Sequence, residues 1–214
     1  MSKKLSIIIS ILNTFILTLL VFLSQNNYIA IHYGIDGSTD MWGNKWLFLS
    51  VPTIPLIISI VYYMYSRHSN RQNKKYENII SSVITIFFII ISWILYFAAF
   101  YPENNNNEFF IYLIALAIGI LLVFISLFIP KLKRNKSLGI KTPWALKNDI
   151  VWDKTQRIGS VLGIFSGTSA IIISIISFLM QSINLCIYGF TTILILYISL
   201  TLIYSYLIYK KICK

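Results

Sequence analysis

Phe109–Pro130 reads FFIYLIALAIGILLVFISLFIP, 22 residues without a charged side chain. As a helix it is about 33 Å long at 1.5 Å per residue, enough to cross a hydrocarbon core of roughly 30 Å. Five other stretches share its length and character: Leu5–Ser24, Trp46–Tyr65, Ile79–Tyr101, Ile158–Met180 and Cys186–Tyr209. Together they predict an all-α polytopic membrane protein, a bundle of six transmembrane helices. The composition agrees, at 57% hydrophobic and 12% charged, against about 25% charged in soluble domains. The 214 residues leave room for one membrane domain, 1–214, and no separate soluble one.

Charge orients the bundle. Of the 18 Lys and Arg residues, 17 fall on the side shared by both termini, and only Lys45 falls opposite. The positive-inside rule then places both ends in the cytoplasm of a bacterial cell, the heavy use of Ile, Asn and Lys fitting an AT-rich genome. The net charge of +11 belongs to helix ends, where it sets topology and meets anionic lipid. No basic stripe with interleaved aromatics lies outside the membrane, so nucleic acid is not an expected partner. Lys3 and Lys4 precede an apolar run too long for a signal-peptide core and without a small-x-small cleavage site, so the first stretch is read as a retained span. Cys186 and Cys213 lie about 40 Å apart along one helix, beyond disulfide reach.

Two connections carry more than a linker needs. The outer loop, residues 25–45, contains Gly34, Gly37 and Gly43, which suit turns. The inner loop, residues 131–157, contains apolar and aromatic residues. In it Gly139 allows a tight turn, and Thr142 with Pro143 forms a cap and first-turn pair. A further helix start at Asn148 or Asp149 would run into the fifth span, setting Trp152, Gln156, Gly159 and Gly163 on one face. Trp144 and Trp152 suit the headgroup layer. The loop is then either a structured cap tied to the fifth span or an interfacial anchor. By contrast, Ser66–Asn78 reads as a plain basic connection. Gly159, Gly163 and Gly167 form a small-residue stripe that serves bundle packing or a homodimer, packing being the expected use.

The spans offer little chemistry. None has an ionisable residue away from its ends, which disfavours proton relay or ion-coupled transport. Asn13 and scattered Ser and Thr are their polar groups. His32 and His68 fall on opposite faces, and His32, Asp36 and Asp40 lack the helix that would align them as metal ligands. No catalytic set, metal or cofactor is expected. A small-solute permease or membrane enzyme would need a polar pocket in the bundle that these residues do not advertise.

The run Gly139-Ile140-Lys141-Thr142-Pro143-Trp144-Ala145-Leu146, with Val151-Trp152 and Thr155-Gln156-Arg157, resembles the inner loop of the SdpI immunity-protein family of bacterial membrane proteins. Ile31-His32-Tyr33 with Gly37, Asp40 and Lys45 resembles a short amino-terminal module, a domain of unknown function, common in that family. Lys141 stands where the family usually has Arg, which removes a bidentate contact. Gln156 stands where many members have His, and Ala30 where Pro is common. The resemblance implies a non-enzymatic role in the cell membrane: immunity to a secreted peptide toxin, and signalling by holding a cytoplasmic repressor at the membrane. On that reading His32, Tyr33, Asp36, Asp40, Trp42 and Lys45 would meet the toxin. Gly139, Lys141, Thr142, Pro143, Trp144, Asp149, Trp152 and Arg157 would hold the bundle or the inner partner.

Overall fold

A computed structural model describes residues 3–34, 37–65, 73–102, 108–135 and 138–213. Six helices in it are long and apolar enough to cross a membrane. The α-helices are α1 (Lys3–Leu23), α2 (Ser50–Tyr65), α3 (Lys74–Phe100), α4 (Glu108–Phe128), α5 (Asp149–Leu179) and α6 (Ile183–Ile212), the second and fourth spans running on through 3₁₀ turns as Lys45–Met64 and Glu108–Lys131. A 3₁₀ turn, Lys45–Leu49, leads into α2, and another, Ile129–Lys131, ends α4. Lys3 at the start of α1 lies over Tyr62 near the end of α2, Asn73 before α3 bonds Lys133 after α4, and Asn148 before α5 meets Cys213 after α6, so these helix ends share one end of the bundle, the basic end.

At the opposite end, residues 25–45 depart from the loop expected there. Tyr28–Tyr33 (β1) and Thr39–Asn44 (β2) pair as an antiparallel hairpin. Its signal was present: β-branched and aromatic residues between Asn27 and Gly34 favour a strand. Gly37 turns the chain at a φ of 77°, a region most side chains avoid. Ile29 is buried and anchors the hairpin among Leu17 and Val21 of α1, Phe48, and Tyr96, Ala99 and Phe100 of α3. Phe48 meets the Tyr96 and Phe100 rings edge-on at 5.7 and 5.5 Å, a favourable aromatic geometry.

Two three-helix groups make the bundle. In the first, side chains of α1 reach carbonyls of α2 near its prolines: Thr14 Oγ1 donates to Pro52 O at 2.7 Å and Ser10 Oγ to Pro55 O at 3.2 Å. In the second, α5 lies closely along both α4 and α6, and the small residues explain why. A Cβ on Gly163 would stand 2.1 Å from Ser126 Oγ, and one on Gly167 would stand 2.8 Å from Gly119 O. Farther along the same face, Ser174 Oγ donates to Tyr112 O at 2.7 Å. The stripe is therefore occupied within this chain, by α4 at Gly163 and Gly167 and by Ile140 at Gly159. The α3–α4 seam between the groups is sparser than the α4–α5 and α5–α6 seams and holds two clefts of about 420 and 620 Å3. Both are lined almost entirely by apolar side chains such as Ile90, Ile94 and Leu113.

Candidate functional site

At the basic end the inner loop folds into a cap, and three sets of bonds hold it. Asn148 starts α5, its Oδ1 accepting from Ile150 N at 2.8 Å and Val151 N at 3.2 Å, as an N-cap should. From that fixed start, Trp152 and Gln156 point back under the loop on one helix face. Trp152 is wholly buried, and its Nε1 donates to Leu132 O at 2.8 Å. Gln156 is also wholly buried; its Oε1 accepts from Ile140 N and its Nε2 donates to Ile140 O, each at 2.9 Å. Thr142 caps a single helical turn, accepting from Ala145 N at 3.0 Å, and pairs with Ser205 Oγ of α6 at 2.6 Å. Thr155 Oγ1 reaches that same Ser205 oxygen at 3.0 Å. Gly139 takes a φ of 106°, and a Cβ there would lie 3.0 Å from both Gln156 Oε1 and the Trp152 ring. Only glycine suits that position.

A second clamp comes from the α2–α3 connection. Asn73 is fully buried; its Nδ2 donates to Lys133 O at 2.9 Å and its Oδ1 accepts from Lys133 N at 2.8 Å. The clamp departs from the plain basic connection expected over residues 66–78. Arg134 adds an ion pair to Asp149 at 2.7 Å and a hydrogen bond to Leu146 O at 2.9 Å. Of the two alternatives for the loop, the structured cap is the one observed.

The inner-loop residues thus divide. Gly139, Thr142 and Trp152 are internal supports, and Asp149 joins the ion pair beside them. Trp152 does not sit in a headgroup layer as expected, because its indole N–H finds a protein carbonyl inside the cap. Trp144 is half-buried against Tyr206, ring centres 5.2 Å apart. Lys141, Pro143 and Arg157 face outward with Leu146 and Ile150. Gln156, Asn73, Arg134 and Ser205 were not singled out as site residues, and only the shared face of Trp152 and Gln156 hinted at one of them.

At the hairpin end, His32 Nδ1 and Asp40 Oδ1 lie 2.6 Å apart across the strands, both exposed. Trp42 and Met41 are exposed beside them. Tyr33 is partly buried over a cavity of about 300 Å3 lined also by Ile31, Phe48 and Leu95. Burial pushes its phenol up to about 12. Lys45 does not join this outer surface: it is buried, and its Nζ donates to Ser24 O at 2.6 Å at the end of α1. A cation there suits a helix C-terminus. Asp36 lies outside the described residues.

Within the spans, the side chain of Asn13 is satisfied by its neighbours. Asn13 Oδ1 accepts from Trp93 Nε1 at 3.0 Å, and its Nδ2 donates to Ser92 Oγ at 3.3 Å. Asn13 is buried and lines none of the clefts just described.

Residues 131–208 match the SdpI/YfhL protein family. The matched segment begins where the cap begins and ends within α6, so it contains the Gln156 clamp and Ser205; it does not reach the hairpin. The chain is also similar to Immunity protein SdpI of Bacillus subtilis (strain 168), with 24% identity over 212 residues, covering 99% of this chain and 98% of that protein. No solved structure matches the chain. The resemblance to the SdpI family holds, and the protein is a multi-pass membrane protein.

Proposed function

We propose that this chain is a membrane immunity protein that protects the cell producing a secreted peptide toxin. The observation that carries the proposal is the end-to-end similarity to an immunity protein, with the family match falling on the clamped cap. The role asks for a scaffold with two recognition ends and no reaction between them, which makes it non-enzymatic. The polar groups of Asn13, Ser92 and Trp93 bonding one another inside the membrane support that reading over a permease or membrane enzyme.

In this proposal residues 1–214 form one membrane domain with both termini in the cytoplasm, as the distribution of Lys and Arg requires. The hairpin end, through His32, Tyr33, Asp40 and Trp42, meets the toxin. The cap presents Lys141, Pro143, Trp144 and Arg157 to the cytoplasm. A sensor role, with a repressor held at the cap, is supported by a loop that is tightly braced yet leaves Leu146 and Ile150 exposed.

The experiment is deletion and re-expression in the native cell under challenge with its own secreted peptides. Survival should fall on deletion and return with the wild-type chain. Equal survival with and without the gene, across all of those peptides, would overturn the proposal.

A further inference from the structure

We infer that the outer edge of β2 receives an extended, cationic peptide segment as a third strand. The inference rests on the proposal that the hairpin end meets a peptide, and it says how that peptide is held.

The register shows what the edge offers. Lys45 N donates to Asn27 O at 3.1 Å, which makes 27 and 45 a hydrogen-bonded pair. Antiparallel pairs alternate between bonded and non-bonded. Tyr28 with Asn44 and Ala30 with Trp42 are therefore non-bonded pairs in the observed register. The backbone N–H and C=O of Trp42 and the N–H of Asn44 then point away from β1, while the Asn44 C=O opens the 3₁₀ turn that Asn44 caps. Among the described residues the sheet has two strands, and no third strand pairs with β2. β1 packs against α3, with Ile29 and Ala30 buried, whereas β2 is exposed at Asp40, Met41, Trp42 and Asn44. An open strand edge is a template for another strand.

Charge selects the occupant. Among the described residues at the hairpin end, Asp40 and Glu108 are acidic, while Lys45 is turned inward onto Ser24 O. A second copy of this chain would set acid against acid. Lipid headgroups cannot supply the alternating donors and acceptors of a strand. A cationic peptide supplies both the ladder and the charge, and the exposed Trp42 and Met41 give its apolar side chains a surface.

The test uses the full chain in phosphatidylcholine nanodiscs and a short acetylated peptide of alternating lysine and valine as probe. Hydrogen exchange over residues 39–44 should slow about tenfold on adding the probe. The same peptide N-methylated along one edge should give no protection, nor should a glutamate–valine peptide. Trp42→Pro, which removes an outward N–H, should abolish the effect, and Trp42→Phe should retain it. Equal protection by the N-methylated or acidic peptide, protection confined to the basic end, or none at all would overturn the inference. Toxin challenge of the same variants separates the two ideas. Cells carrying Trp42→Pro that survive like wild type, though the variant no longer protects residues 39–44, sink strand addition and leave immunity standing. Wild-type cells that survive no better than the deletion sink immunity instead.

Discussion

Gln156 sets both polar atoms of its side chain on the backbone of one residue, Ile140, 16 positions earlier. An amide carries a donor and an acceptor side by side, so it pairs with an extended residue much as a neighbouring strand would. Gln156 is fully buried and Ile140 half-buried, so the two backbone groups have little water to fall back on. Gln156→Leu should cost about 1–3 kcal/mol for each backbone group left unsatisfied. Gln156→Glu keeps an acceptor for Ile140 N–H but loses the donor and buries a charge. Both should lower the thermal unfolding midpoint in detergent. A midpoint equal to wild type for Gln156→Leu would show that the clamp does not hold the cap.

The two tryptophans of the cap should respond oppositely. Trp152 is sealed among Ile80, Leu132, Ala145 and Val151, and truncation of a buried aromatic costs about 3–5 kcal/mol. Trp152→Ala should therefore reduce accumulation of the protein in the membrane. Trp152→Phe retains most of the volume but strands Leu132 O, and should fall between. Trp144→Ala gives up a contact with Tyr206 on a half-exposed side chain and should accumulate normally. If a repressor binds the cap, Trp144→Ala should lose its recruitment while the fold persists. Equal accumulation of Trp144→Ala and Trp152→Ala would contradict the burial difference.

The spans were legible because hydropathy is local: the six apolar stretches are all found as helices. Their ends shifted for non-local reasons. α5 starts at Asp149 rather than near Ile158, because Asn148 caps it and the cap gives its first two turns something to cover. That earlier start was readable in Asn148-Asp149 as an option, not as a necessity. The Asn73 clamp was not readable at all. Its partner Lys133 is 60 residues away, and an asparagine in a basic connection looks like any solvated turn. The hairpin was missed for another reason, since Gly34, Gly37 and Gly43 outweighed the strand signal of Tyr28–Tyr33. Those glycines in fact serve the turn and the close approach of Ile31 to Gly43.

The native cysteines report the proposed topology without added labels. Cys213 is exposed at the basic end, while Cys186 is buried near the opposite end of α6. A membrane-impermeant maleimide should leave intact cells unlabelled and should label Cys213 once the membrane is opened. Cys213→Ser should remove that signal, since Cys186 is shielded in either state. Labelling of Cys213 in intact cells would reverse the proposed assignment of faces.

Substitutions along the glycine stripe should rank by what the new methyl meets, not by size alone. At Gly159 the nearest atom is Ile140 Cδ1, the far end of a flexible side chain, which can turn aside at small cost. At Gly167 it meets Val123 Cγ2 at 2.6 Å and the backbone oxygen of Gly119 at 2.8 Å. Backbone cannot move without parting α4 from α5, so overpacking there should cost about 1–3 kcal/mol or more. Gly163 is intermediate and gives the sharpest check, because its methyl would strike Ser126 Oγ, a side-chain atom that can be removed. Ser126→Ala should restore part of the stability lost in Gly163→Ala, leaving the 3.1 Å approach to Ser126 Cβ as the remainder. Unfolding midpoints of the single and double variants measure this coupling directly. Strict additivity of Gly163→Ala and Ser126→Ala would mean that the two residues do not meet, and that the stripe faces something other than α4.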